Sequence, residues 1–159
     1  MAGNFRRELP PFLRKPALGK PLSYNVPVTN RTATAIPNGS LVVLDCTNSI
    51  LYSRMCVKLA DALSAVGVQG VAVGIIAASG GKGVICIFGP AKTLVSDDAG
   101  DVAVGDQLGS SDHGSGGFAG LAGATPYAGT VLGYALQAQT GDSTAGTAST
   151  LKSVFVDPR

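Results

Sequence analysis

The chain has 159 residues, of which 45% are hydrophobic and only 14% charged, with 22 glycines, no tryptophan and a formal net charge of +2. These figures fit one domain, or a small domain with an arm, and exclude a disordered chain, which would carry more charge and less apolar content. No run of about 18 uncharged apolar residues occurs, so no membrane helix is expected.

The charge is unevenly placed. Residues 1–40 hold Arg6, Arg7, Arg14, Lys15, Lys20 and Arg31 against one acid, Glu8, whereas residues 41–159 hold six bases against nine aspartates. This predicts a basic arm on a mildly acidic body. Pro10, Pro11, Pro16, Pro21, Pro27 and Pro37 fall in the same first stretch. Proline lacks the backbone N–H and fixes φ, so residues 1–37 are expected to run extended, forming neither helix nor inner strand. Phe5, Leu9, Phe12, Leu13, Leu18 and Tyr24 lie there too. An arm that floats in water has no use for such side chains; one that lies on a partner buries them, and stiff prolines lower the entropy lost on docking. The start of the chain has no apolar core of signal-peptide type, so secretion by that route is not expected.

Residues 38–159 read as an all-β body, sandwich-like or barrel-like. Asn38-Gly39 marks a turn, and short apolar runs follow at 41–46, 68–78, 83–88 (ended by Gly89-Pro90), 91–96, 102–104, 130–136 and 151–156. Such runs, split by Gly, Pro and Asp clusters, are the mark of small antiparallel folds. Within 54–66 two periods compete. Met55, Leu59, Ala62, Leu63 and Val66 share a helical face, while Met55, Val57 and Leu59 alternate as in a strand; local rules lean towards the helix, with Ser53 and Gly67 as its caps. The Gly/Ser/Ala-rich stretch 109–128 reads as a long flexible loop, 138–150 as a second polar loop, and no internal repeat is evident.

Reactive chemistry is hard to assemble from these residues. His113 is the lone histidine; beside Asp112 and near Ser110, Ser111 and Ser115, it sits in the glycine-rich loop, which does not hold a triad in place. Cys46, Cys56 and Cys86 lack the spacing of a zinc site or disulfide framework and read as buried reduced thiols. Asp97, Asp98 and Asp101 read as turn acids that bond local backbone. Gly80-Gly81-Lys82-Gly83 departs from a phosphate loop at Ile76 and Gly83, and reads as a hairpin turn. Gly114–Gly120 superficially resembles the glycine-rich motif of dUTPases but has no arginine before it. The arm's base pairs, Arg6-Arg7 and Arg14-Lys15, would neutralise a few phosphates. The body is acidic and lacks the stacking platform of a single-strand binder, so nucleic acid is not the expected partner.

One constellation remains: Gly39-Ser-Leu-Val-Val-Leu-Asp45, Gly70-Val-Ala-Val-Gly74, Gly83–Gly89, Val104-Gly-Asp-Gln-Leu108 and Gly129–Leu136 before a closing strand. In this order it resembles the small head decoration, or cement, proteins of tailed bacteriophages. Similar modules occur in phage fibre proteins. The resemblance implies a structural virion protein without enzymatic activity or cofactor. Such a protein is made in the host cytoplasm and binds the outer surface of the assembled capsid. It is often a homotrimer, and it bridges subunits of the major capsid protein against the pressure of packaged DNA. On that reading residues 38–159 are the decoration domain, and Phe5, Arg6, Arg7, Leu9, Phe12, Leu13, Arg14 and Lys15 of the arm contact the capsid. The alternatives are a fibre or spike module for attachment, and a small β-fold hydrolase using His113.

Overall fold

A computed structural model of the chain describes residues 22–45, 55–60, 67–96, 101–111, 117, 119–121, 131–140 and 149–158. These residues form nine strands: β1 (Tyr24–Asn30), β2 (Leu41–Leu44), β3 (Met55–Leu59), β4 (Val68–Ala72), β5 (Gly81–Ser96), β6 (Gln107–Ser110), β7 (Ala119–Leu121), β8 (Val131–Ala135) and β9 (Ser149–Val156). Among the described residues there is no helix. The all-β expectation holds, and the architecture is a barrel rather than a sandwich.

The ladder closes twice. Strands β1-β3-β2-β4-β5 form one ring, shut by the pairing of β1 with β5. Strands β5-β7-β6-β8-β9 form a second, shut by β9 on β5. The first half of β5, Gly81–Phe88, serves the first barrel and its second half, Gly89–Ser96, the second. Closure removes the unpaired edges that an open sheet presents to other chains.

The two barrels are copies of one plan, which corrects the expectation of no internal repeat. In each, the first strand runs parallel to the third and antiparallel to the fifth. The second strand lies between the third and the fourth. Each carries the same irregularity: the register slips between Val42 and Val43 opposite Gly70, and between Leu108 and Gly109 opposite Gly133. The bridge Ile36–Ile76 matches Val102–Gln139. The bond from Gly39 N to Ala72 O matches that from Gly105 N to Ala135 O, and the bond from Val73 N to Val84 O matches that from Leu136 N to Ser153 O. Gly70 and Gly133 have φ of +157° and +152°, and a Cβ on either would collide with the carbonyl oxygen of Cys86 or Phe155. A bulge at that close approach therefore requires glycine in both copies. The repeat escaped sequence reading because it is carried by backbone register. Its side chains differ at most positions, as where Ile76 corresponds to Gln139.

Four further expectations are corrected. The proline-rich stretch 1–37 was expected to contain no inner strand, yet β1 pairs with β3 on one side and β5 on the other. Pro27 stands opposite Val84, whose carbonyl turns away to accept from Val73 N. This is a non-hydrogen-bonded pair, and β3 joins β1 only from Val28, so no ladder bond needs the missing N–H. Residues 1–21 lie outside the described residues. Gly89-Pro90 was expected to end a strand, but β5 runs through it. Gly89 takes a φ of +97° and bends the strand from one barrel to the other, while Pro90 opposite Phe155 again occupies a non-hydrogen-bonded pair. Finally, Met55–Leu59 is the strand β3, not a helix: pairing with β1 and β2 overrides local propensity. Residues 61–66 are outside the described set. The expected 109–128 loop contains the end of β6 and all of β7.

Two apolar clusters follow from strand alternation. Val28, Ile36, Val42, Val57, Ala72, Ile76 and Ile85 fill the first barrel. A larger cluster joins Leu41, Val43, Val68, Val71 and Cys86 of the first barrel to Val95, Leu108, Ala119, Leu132, Val154 and Val156 of the second, making one continuous core. Asn30 is the polar exception, fully buried at the end of β1. Its Nδ2 donates to Thr34 O (2.8 Å) and Ala77 O (3.1 Å), and its Oδ1 accepts from Thr32 N (3.0 Å) and Thr32 Oγ1 (2.7 Å). It pins the 31–35 segment to the β4–β5 turn.

Asn30→Ala leaves those carbonyls and amides without their partner and is expected to lower unfolding free energy by about 2–3 kcal/mol, read by urea denaturation. A change below about 0.5 kcal/mol, within the range of ordinary surface substitutions, would refute the pinning role. Gly133→Ala is expected to leave little soluble folded protein, whereas Gly67→Ala, where the added Cβ meets open space, is expected to remain folded despite a strained φ; recovery and circular dichroism of the two variants compare them.

Candidate functional site

The eight arm residues expected to touch a partner, Phe5, Arg6, Arg7, Leu9, Phe12, Leu13, Arg14 and Lys15, lie outside the described residues, as does His113. Ser110 and Ser111, its suggested neighbours, are buried and engaged in interactions of their own. No group of three or more His, Cys, Asp or Glu side chains that could hold a metal is found among the described residues. The hairpin turn expected at Gly80-Gly81-Lys82-Gly83 falls slightly earlier, at Ala78–Gly81, and Gly81–Gly83 already belong to β5. Ser79 and Gly80 both take positive φ, and Gly81 N donates to Ala78 O across the turn (3.3 Å). Asp97 and Asp98 are outside the described set. Asp106 shows the chemistry expected of turn acids, its Oδ2 accepting from Ala103 N at 2.8 Å.

What the described surface offers is apolar area. On the outside of the first barrel Pro27, Val84 and Val73 are lateral neighbours across β1, β5 and the end of β4, and all three are exposed. The next row holds Thr29 and Lys82, and Ile75 beyond them is 75% exposed. The duplication supplies an internal comparison. The counterparts of Pro27, Val84 and Val73 in the second barrel are Lys92, Ser153 and Leu136, and there Lys92 Nζ donates to Ser153 Oγ (2.8 Å). The same backbone thus shows an apolar row in one copy and a largely polar one in the other. Barrel closure does not demand exposed valine at these positions.

A second apolar region lies at the start of β1. Leu22, Tyr24 and Phe88 are exposed, and Phe88 packs edge-to-face on Phe155 with ring centroids 5.3 Å apart. Beside them a cleft of about 620 Å³ opens at one end of the first barrel, lined by Tyr24, Val26, Met55, Val68, Gln69 and Ile87 among others. Sequence reading missed both regions. The apolar run 68–78 carries no sign of which residues face out, and in the structure Val73 and Ile75 point outward. The available signal was apolar residues on both parities of a barrel strand, which a water-facing barrel does not need.

Two of the three thiols match the expectation, and Cys46 lies outside the described residues. Cys56 and Cys86 are unoxidised and buried. Burial pushes the Cys86 thiol above its ordinary pKa, with partial relief from its contact with Phe88 O at 3.4 Å. A raised thiol pKa keeps the neutral form in the fold, opposite to what a nucleophile needs. It supports stability below the ordinary thiol pKa, and that contribution falls as pH rises through the folded value.

No protein-family model and no curated protein matches the chain. Among solved structures, the N base of head fiber gp8.5 of bacteriophage phi29 has a similar fold. It aligns with a TM-score of 0.53 at 19% sequence identity, over 84% of this chain and 95% of that chain. The fold of this protein is therefore one that a phage head protein also uses.

In a Cys46→Ser background, the native protein is expected to react with a disulfide reagent at pH 8 far more slowly than after unfolding in urea, when two thiols titrate. Rapid native labelling of Cys86 would contradict its burial.

Proposed function

We propose that this chain is a structural protein of a phage virion, bound to the outside of the head. The observation that carries this reading is the fold likeness to a phage head protein, spread over most of both chains. The surface supports it independently. Few charges, an apolar row on one barrel and exposed aromatics at the start of β1 suit a body that works by contact with other protein.

The finer form of the proposal is a capsid cement protein. Its body is a homotrimer; its arms, with Phe5, Arg6, Arg7, Leu9, Phe12, Leu13, Arg14 and Lys15, lie on the major capsid protein and bridge neighbouring subunits. Three arms acting together turn modest single contacts into firm attachment. The basic arm calls for an acidic capsid surface, so attachment weakens as salt rises. A second reading, the base of a head fiber, is favoured by the description of the phi29 neighbour. In either form the chain is scaffold, and the hydrolase reading built on His113 gains no support from the described residues.

Deleting residues 1–20 is expected to leave a folded body, by circular dichroism, that no longer sediments with arm-free capsids. Undiminished binding would overturn the role of the arm. Counting copies on purified particles by electron microscopy separates the two readings: a dispersed lattice of density over the shell marks a cement protein, and a few sites carrying projections mark a fiber base.

A further inference from the structure

Within the chain, the first barrel packs on the second through the shared apolar core and, at its rim, through one short hydrogen-bonded segment. Gly39 O accepts from Leu94 N (2.9 Å) and from the buried Thr93 Oγ1 (2.8 Å), and Leu41 N donates to Gly117 O (2.7 Å). Gly39 lies so close that a Cβ there would collide with the Leu151 side chain. The segment 39–41 therefore sits on the outer face of β5 and β9 with no room to spare.

The duplication gives each partner in this contact a counterpart. The docking segment 39–41 corresponds to 105–107 in the second barrel. Its seat, Leu94 and Leu151 with Gly117, corresponds to Thr29 and Lys82 with Met55 in the first. These counterparts do not meet. A Cβ on Gly105 would find nothing within 4 Å, Val104 beside it is 66% exposed, and Lys82 is exposed. Met55 lines the open cleft of the first barrel. Among the described residues, one chain thus carries a docking segment and a seat that do not engage each other.

Charge matches the two. Residues 22–88 hold four bases (Arg31, Arg54, Lys58, Lys82) and two aspartates, whereas residues 89–159 hold three bases and seven aspartates. Asp106 lies within the docking segment and Asp101 precedes it, and Lys82 stands in the seat, with exposed Arg31 two residues after Thr29. The apolar parts also correspond: Val104 and Leu136 are exposed on the donor side, and Val84 and Ile75 on the seat side.

We propose that the protein associates head to tail with itself. The 103–107 turn of one copy seats on the β1–β5 outer face of the first barrel of the next, repeating between chains the contact that segment 39–41 makes within one. Such a contact is heterologous, so it yields a ring when the rotation closes and a filament when it does not. A closed ring of three would be the homotrimer of the preceding reading; the inference deepens the self-association in that reading but does not depend on a capsid.

The test uses full-length chains with the three native cysteines replaced by serine, carrying either Val104→Cys or Lys82→Cys. Under mild oxidation an equal mixture is expected to form a disulfide-linked dimer of the two variants, while neither alone does so. No cross-link in the mixture, or equal cross-linking of each variant alone as a two-fold contact would give, overturns the proposal. Sedimentation gives the second arm: Val104→Glu, still folded by circular dichroism, is expected to dissociate at about tenfold lower dilution than the parent. A parent that is monomeric at every concentration overturns the proposal, as does a Val104→Glu variant that self-associates normally but no longer binds capsids, which would assign the face to the capsid. Head-to-tail linkage with no capsid binding by the parent would instead sink the cement reading and leave this one standing.

Discussion

Everything in this molecule depends on β5 belonging to two closed ladders. Its first half completes one barrel and its second half starts the next. Neither barrel can shift without moving the strand they share. The left-handed turn at Gly89 makes this possible, because it redirects the strand without ending it. Pro90 is harmless there because its register asks for no N–H. The same rule admits Pro27 to β1, so two prolines that argue against strands in sequence are each accommodated at a silent position of the ladder.

Part of the fold was legible from residues alone. The runs at 41–46, 83–88, 130–136 and 151–156 contain or lie within strands β2, β5, β8 and β9, and their spacing by Gly, Pro and Asp clusters pointed to a small β fold, sandwich-like or barrel-like. What remained hidden was tertiary. Met55–Leu59 satisfies both periods, and only its neighbours β1 and β2 decide for strand. The sheet pairing of 24–30 depends on β5, far away in sequence. The duplication is written in register and bulges, and its residue-level trace is little more than two glycine pairs, Gly39 with Gly105 and Gly70 with Gly133. The resemblance to phage head proteins, drawn from glycine spacing, agrees with the fold found in a phage head fiber base. The arm residues chosen for partner contact lie outside the described residues, and the apolar row on the first barrel was hidden because a run such as 68–78 or 83–88 does not show which of its residues face outward.

The two copies have diverged in surface more than in frame. Where one shows Pro27, Val84 and Val73, the other shows Lys92, Ser153 and Leu136. A fold that repeats its backbone is free to give each copy a separate task. The first barrel carries more bases than acids and the open cleft, and the second carries most of the acidic residues. On the proposed reading this polarity is useful: one end is suited to a neighbour's acidic surface and the other offers that surface to the next chain.

The shared strand also sets an order of events at the ribosome. Once residue 88 has emerged, the first barrel has all its strands, but Gly89–Ser96 waits for β9, roughly seventy residues later. At about 5–20 residues per second that half-strand stays unmatched for several seconds while its covalent other half is already locked in place. The nascent chain thus presents a short, fixed template on which the second barrel assembles, and a stall in synthesis between the two would leave a sticky end on an otherwise finished domain.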